Sequence, residues 1–157
     1  MIDSVPGATP EERLARLGLE LPPAPVPLAN YVPFTYAGEL IVTSGVLPMR
    51  DGKVIEGRLG ADLSVESGIE AARNAALSLL AVLEAAVGKL EQITGLLLLT
   101  GYVRSAPEFA RQSDVIDGAS HLLHQVLGEL GKHARVSVGV AELPRGACLE
   151  LQLLARR

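Results

Sequence analysis

Aromatic residues are scarce in this sequence, whose 157 residues include no tryptophan, three tyrosines and two phenylalanines. Hydrophobic residues nevertheless make up 48% of the chain, so leucine, valine, isoleucine and alanine must fill the interior. Such a core favours helices packed on a sheet over an aromatic cage around a ligand. The length fits one domain with one core.

Cysteine is almost absent as well. Cys148 is the single cysteine, which excludes a disulfide within the chain and a zinc site built on cysteines. The first twelve residues carry acids and prolines, whereas a secretory signal has a basic start followed by an apolar run. We therefore expect a reducing, cytoplasmic location.

Long hydrophobic runs and excess positive charge are also missing. The most apolar stretch, residues 96–99, lies between Gly95 and Gly101 and is far shorter than the roughly 20 residues that span a membrane, so we interpret it as a buried strand. Lysine and arginine total 14 against 18 aspartates and glutamates, a net charge of −4. The shortness of the apolar run means that a membrane is not an expected partner. Nucleic-acid affinity depends on cationic side chains that neutralise phosphates, so a nucleic acid is not an expected partner of this acidic chain either.

The N-terminal region has the pattern of a short helix followed by a stiff segment. Residues 9–12 (TPEE) have the form of a capping box with proline at the first helical position, which predicts a helix to about Leu17. Pro22, Pro23, Pro25 and Pro27 then predict an extended segment unsuited to a sheet interior. We interpret residues 1–28 as an extension on the surface of a domain that spans residues 29–157.

The rest of the chain shows, in order, two strands, a helix, a strand, a helix and two strands. The strongest signal is the helix Val65–Val87, with Ser64 as N-cap and Gly88 after its end. The other predicted elements are a hairpin of residues 31–36 and 39–44, a turn at 51–52, a strand over 93–103, a helix over 105–130 with a break near 117–118, and a terminal hairpin of strands 134–141 and 147–154. This order implies an α+β fold in which one mixed sheet carries two helices on one face. The other face needs cover, for which an oligomer interface is the natural source.

Arg135 is the first candidate for chemistry. It shares a strand face with Ser137 and Gly139, and such short residues predict open space above the sheet, where a guanidinium can bind a carboxylate through two parallel hydrogen bonds. The alternative is a surface salt bridge at a strand end. Arginine keeps its proton near neutral pH, so any proton transfer needs another group.

Glu150 is the candidate for proton transfer, because it interrupts the leucine-rich last strand. The alternative is a solvated carboxylate on an alternating strand. In a terminal hairpin Glu150 faces about Gly139, roughly 13 Å along the strand from Arg135. We therefore hypothesise that a second subunit brings its Glu150 beside Arg135.

Three segments resemble signature stretches of the YjgF/RidA family of reactive-intermediate deaminases, also labelled endoribonuclease L-PSP: residues 40–48 (LIVTSGVLP), 133–137 (HARVS) and 140–150 (VAELPRGACLE). The resemblance implies a chorismate-mutase-like fold and a homotrimer with pockets between neighbouring subunits. It also implies hydrolysis of enamine or imine intermediates to 2-oxo acids and ammonia, with a small carboxylate as ligand and without metal or cofactor.

The resemblance also implies roles for individual residues. Arg135 matches the arginine that holds the substrate carboxylate, and Glu150 matches the glutamate near the reacting carbon and its water. Gly45 matches the glycine whose backbone faces the ligand, and Tyr31 the tyrosine that closes the pocket. Ser137, two residues after the arginine, is a further expected substrate-binding residue.

The sequence departs from the family pattern at four places. His133 and Ser137 stand where proline and cysteine are usual, and Val46 stands where glutamine is common. The asparagine that the family often has on its second helix is replaced in this sequence around Asp117-Gly118.

Two other functions remain open, and three histidines have no role. A trimer could bind or sense 2-oxo acids without turnover, and RNA cleavage ranks last because the chain is acidic. His121 and His124 lie one helical turn apart, a spacing that can bind metal, but a solvated helix face explains them better and we expect no metal site. His133, close to Arg135, is either a pocket residue or a strand cap.

Overall fold

A mixed five-stranded sheet with two long helices on one face forms the centre of the computed structural model, which describes residues 7–157. The strand order is β1-β2-β7-β5-β6, with β5 and β6 parallel and the other neighbours antiparallel. A short hairpin of β3 and β4 lies apart from this sheet. The strands are β1 Phe34–Ala37, β2 Leu40–Thr43, β3 Met49–Arg50, β4 Lys53–Val54, β5 Gly95–Arg104, β6 Ala134–Val140 and β7 Leu149–Arg156. The α+β fold and the first hairpin are as predicted.

The helix α2 has the predicted bounds, Val65–Val87. The Ser64 hydroxyl accepts a hydrogen bond from the Ser67 amide at 3.1 Å, and Gly88 ends the helix with a φ of 88°, which glycine adopts without strain. Most of its leucines and alanines are buried against β7 and β2 and against the second long helix. The 3.6-residue spacing of apolar residues therefore located this element correctly.

The helix α3 spans Gln112–Leu127 and differs from the prediction at both its start and its middle. Residues 105–111 are not helical, because the Ser105 hydroxyl donates to the Val103 carbonyl at 2.8 Å and caps no helix. The predicted break at 117–118 is absent. A Cβ at Gly118 would collide with the Ile69 carbonyl oxygen of α2, so this glycine allows two helices to pack closely.

The last two strands do not form the predicted hairpin. β5 lies between them, parallel to β6 and antiparallel to β7. The connection passes the end of β5, where Glu142 accepts from Arg58 at 2.6 Å and from Arg104 at 2.9 Å. A turn-like sequence between two strands signals a change of direction, and it does not say which strand becomes the neighbour.

The N-terminal region begins with the helix α1, Pro10–Arg16, whose Thr9 and Glu12 form the predicted capping box. Leu14 is buried in the core cluster, and Arg13 donates to the Val126 carbonyl of α3 at 3.2 Å. Residues 1–6 of the proposed extension lie outside the described residues, and the domain boundary at residue 28 stays a prediction. Between residues 7 and 157 no helix has the length and apolarity that a bilayer span requires.

One face of the sheet is covered by α2 and α3, and no helix among residues 7–157 covers the other. Val136 and Val138 of β6 are 45% and 39% exposed on the uncovered face. Their neighbours across the sheet are half-buried, namely Thr100 and Tyr102 of β5 and Glu150 and Gln152 of β7. We call these two surfaces the helix face and the open face.

Candidate functional site

Arg135 lies on the helix face, beneath α3. Its Nη1 donates to Asp117 Oδ1 at 2.7 Å and to Ser120 Oγ at 3.0 Å, and its Nη2 donates to Ser113 Oγ at 3.0 Å. The Arg135 side chain is 23% exposed and the Asp117 side chain 72%. The guanidinium is therefore held by an ion pair and two hydroxyls of a single helix.

The prediction of open space above Arg135, Ser137 and Gly139 is wrong. A Cβ at Gly139 would meet the Gln112 amide nitrogen at 2.8 Å, and one at Gly101, beside Ser137, would meet Ile116 at 2.6 Å. The short residues on β6 let α3 approach the sheet. The Ser137 hydroxyl is buried with no hydrogen-bond partner among residues 7–157.

A cavity of about 300 Å³ lies beside Arg135. Its walls are formed by polar and basic residues near the end of α3 and the start of β6, namely Ser120, His124, Gly131, Lys132, His133 and Arg135. A basic lining of this kind suits a small anion. The guanidinium is therefore paired, yet it still borders a space that a ligand can enter.

His133 supports this cavity through two hydrogen bonds. Its Nδ1 lies 2.7 Å from the Gly131 carbonyl oxygen, which can only accept, so Nδ1 carries the proton and Nε2 accepts from the Ser120 hydroxyl at 3.0 Å. Burial lowers the pKa of His133, and the positive charge of Arg135 lowers it further. The hydrogen bond to Gly131 acts in the opposite direction and raises it. The neutral ring therefore orients Ser120 toward Arg135.

Glu150 lies on the open face. It is paired with Tyr102 of β5, which is paired in turn with Val138 of β6. Among residues 7–157 no side chain forms an ion pair or hydrogen bond with its carboxylate, and burial raises the pKa of Glu150. A half-buried carboxylate without a partner is costly, which makes this residue a candidate for function.

Gly45 lies directly against Glu150. The bridge between Val46 and Leu151 places the end of β2 beside β7, and any Cβ at position 45 would collide with Glu150 Oε1. Glycine leaves room for the Glu150 carboxylate to lie close to the backbone here, and a Cβ would force that side chain to shift. The structure brings together Gly45 and Glu150, two of the five predicted site residues.

Arg135 and Glu150 are not brought together within one chain. Arg135 lies beside Leu99 of β5, which lies beside Leu153 of β7, and the side chains of this row face the helices. Glu150 is three residues from Leu153 along β7, so it points to the opposite face. The predicted separation along a shared hairpin face is therefore wrong, because alternate residues of a strand point to opposite sides. Tyr31, 53% exposed in the segment before β1, has no side-chain hydrogen bond among the described residues.

Three residues that hold Arg135 were missed as site residues. Ser113, Asp117 and Ser120 follow one another at intervals of four and three residues on α3, so they form a polar stripe on one helix face. That spacing is visible in the sequence. The expected helix break at 117–118 concealed it.

The remaining candidates form no separate site. Within residues 7–157 no three metal-ligating side chains converge, and His124 Nε2 lies 3.8 Å from Glu129 Oε1. Cys148 is buried and burial raises its pKa to about 11, which disfavours a reactive thiolate.

Comparison with known proteins gives consistent matches over nearly the whole chain. A family model described as “YjgF/chorismate_mutase-like, putative endoribonuclease” matches residues 11–156. Protein TCP17 of Trypanosoma cruzi is 44% identical over 143 residues, which are 90% of this chain and 89% of that protein.

Two solved structures are similar in both sequence and fold. The crystal structure of Atu1372, a protein of unknown function from Agrobacterium tumefaciens, is 46% identical with a TM-score of 0.88, covering 94% of this chain and 91% of that one. A “putative endoribonuclease” from Shewanella oneidensis is 36% identical with a TM-score of 0.92, covering 96% of this chain and 100% of that one.

Proposed function

This chain belongs to the YjgF/chorismate-mutase-like family, and on that premise we propose that it hydrolyses reactive 2-enamino and 2-imino acids to 2-oxo acids and ammonia, in the cytoplasm, in a pocket between subunits of a homotrimer. One observation carries the proposal. Glu150 is a half-buried carboxylate with a raised pKa and no partner in the described chain, packed against a glycine on an uncovered sheet face. A carboxylate whose pKa is raised is a stronger base than an ordinary glutamate and suits proton transfer.

The positions of Arg135 and Glu150 support the assignment of the pocket to a subunit interface. The two residues face opposite sides of one sheet, so a single chain cannot direct both at one small ligand. A second copy that packs against the open face would cover Val136 and Val138 and could place its Arg135 near Glu150. The same contact would enclose Tyr31 and Gly45, the other expected binding residues.

The proposed reaction uses these groups in distinct roles. Arg135 binds the carboxylate of the 2-imino acid, and Glu150 accepts a proton from a water that attacks the C=N carbon. The nitrogen of the tetrahedral intermediate takes that proton and then the proton of the new hydroxyl, both passed on by Glu150, so that the C–N bond breaks with its electron pair leaving as ammonia and the oxygen becomes the carbonyl of the 2-oxo acid. An enamine enters after it has taken a proton on carbon and become the imine. No cofactor takes part in these steps.

The test uses freshly generated 2-aminoacrylate with the full chain. We expect loss of the imine and release of ammonia to be faster than without protein, and Glu150→Gln to reduce this acceleration by about 10²-fold, the lower range for a general acid–base group. Glu39→Gln is the matched control, since Glu39 is an exposed carboxylate in the turn between β1 and β2. Equal rates for wild type and Glu150→Gln would overturn the role of Glu150.

Arg135→Ala tests the carboxylate clamp in the same assay. We expect it to remove most of the acceleration, whereas Arg111→Ala, which breaks an exposed ion pair at 2.7 Å between the residue before α3 and Asp114, should leave the rate unchanged. Binding of a 2-oxo acid without any ammonia release would favour the alternative of a non-catalytic binding protein. Cleavage of RNA that disappears at moderate salt would favour the endoribonuclease description of the family.

A further inference from the structure

Arg135 retains donors that its own helix does not use. A guanidinium has five N–H groups, and three of them are donated to Asp117, Ser120 and Ser113. The other two have no acceptor among residues 7–157. A ligand carboxylate can therefore bind to Arg135 while the contact with Asp117 persists.

Asp117 retains an acceptor in the same place. Only its Oδ1 contacts Arg135, its side chain is 72% exposed, and no other hydrogen bond holds its second oxygen in the described part of the chain. Arg135 lines the cavity of about 300 Å³, and Asp117 lines another of about 320 Å³ between α2 and α3, so the ion pair joins the walls of the two cavities. Asp117 Oδ1 is paired with Arg135 Nη1 at 2.7 Å, while the second oxygen of Asp117 and two donors of Arg135 are free in the described part of the chain.

We propose that Arg135 and Asp117 together form a receptor for a small zwitterion, in which Arg135 binds the carboxylate and Asp117 accepts a hydrogen bond from the protonated nitrogen on the adjacent carbon. The proposal rests on the proposed function and narrows its substrate class to 2-imino acids in the protonated, iminium form. Asp117 is then the residue that sets specificity. A 2-oxo acid, which has no donor on that carbon, meets an uncompensated carboxylate and leaves readily as product.

The charge balance of the site supports a zwitterion over a simple anion. An incoming carboxylate alone would approach both the guanidinium and the anion that already neutralises it, so its attraction is largely cancelled. A ligand with adjacent positive and negative groups is attracted by both members of the pair. The alternative is that Asp117 occupies the ligand's place and must swing away, toward Arg73 or His121 in the neighbouring cavity.

The experiment compares two ligands that differ only in the group in question, L-2-aminobutanoate and 2-oxobutanoate, by calorimetric titration of the full chain. For wild type we expect the amino acid to bind more tightly. Asp117→Asn should weaken binding of the amino acid about fivefold, since an exposed charged contact contributes only modestly to the binding free energy. Binding of the 2-oxo acid should stay equal or become tighter. Asp117→Glu, which keeps the charge, should restore the preference.

The matched control is Asp114→Asn, which removes the same charge from the same helix at a residue paired with Arg111. It should change neither affinity. If Asp117→Asn tightens both ligands equally, Asp117 is a competitor for Arg135 and the receptor proposal is wrong; unchanged affinities also refute it. If Arg135→Ala abolishes binding of 2-oxobutanoate while Asp117→Asn changes nothing, the carboxylate clamp stands and only the inference about Asp117 fails. If wild type binds neither ligand, both fail.

Discussion

The two faces of the central sheet differ in how their polar groups are satisfied. On the helix face, Arg135 has three hydrogen-bond partners from α3, and the glycines that face the helices allow close packing. On the open face, Glu150 has no partner in the described chain and two valines of β6 are exposed. The fold accounts for the three Arg135 donors that α3 accepts, whereas the carboxylate of Glu150 and the two unused donors of Arg135 point to something outside the described chain.

The comparison also separates two kinds of glycine. Gly118 brings two helices together inside one chain, so its role is stability. Gly45 brings backbone close to Glu150 on the open face, so its role belongs to the proposed pocket. Substitutions on the two faces should therefore affect different measurements.

The largest expected effect is on the helix face. Gly118→Ala places a Cβ against the Ile69 carbonyl oxygen, and the helices must separate to relieve the clash. We expect the free energy of unfolding to fall by up to about 3 kcal/mol, measured by urea denaturation. Gly95→Ala is the control, because a Cβ there meets nothing within 4 Å. A stability loss as large in the control would contradict this account.

The next effect is on assembly. Val136→Asp places a charge on the exposed apolar strip of β6, and a charge buried without a partner at an interface is costly. We expect light scattering to show a shift from the proposed trimer to a monomer with an unchanged circular dichroism spectrum, and the rate of the proposed deamination to fall at least tenfold.

The control for assembly is Leu130→Asp, which introduces the same charge at a residue that is 47% exposed in the turn after α3. It should leave the mass unchanged. A Val136→Asp protein that keeps the wild-type mass and activity would show that the open face is no interface.

Much of the fold could be predicted because it depends on local patterns. The capping box at Thr9 and the bounds of α2 follow from residues within a few positions of one another. The predictions of a terminal hairpin and of open space above Arg135 were wrong, because both features depend on the pairing of strands that are distant in the sequence. The insertion of β5 between β6 and β7 has no signature in either of the two strands.

The candidate site divides along the same line. Arg135 and Glu150 stand out as polar residues on alternating strands, but the face each one occupies depends on which strands are neighbours. Asp117 had a recognisable spacing with Ser113 and Ser120, and only the continuous course of α3 places it at Arg135.

A smaller effect concerns the charge of Glu150. Burial raises its pKa, so the folded chain binds a proton more readily than the unfolded chain, and stability falls as pH rises through the ordinary range of glutamate. In the Val136→Asp background, where no partner subunit can compensate, Glu150→Gln should raise the Tm at pH 7 by about 1–2 °C. The difference should vanish below about pH 4. A lower Tm at pH 7 would show that the carboxylate is stabilised within its own chain.

The smallest effect belongs to His133 on the helix face, and its sign is opposite. Burial lowers its pKa, so the unfolded chain binds the proton first and stability is lost as pH falls below the ordinary histidine value near 6.5. His133→Gln cannot take up that proton, and its amide can still accept from Ser120. We expect the variant to lose less stability than wild type between pH 7 and pH 5, by a Tm difference of about 1 °C, with His121→Gln as the control. Parallel Tm curves for wild type and His133→Gln would mean that the ring titrates alike in folded and unfolded chains, and that Ser120 needs no neutral histidine to face Arg135.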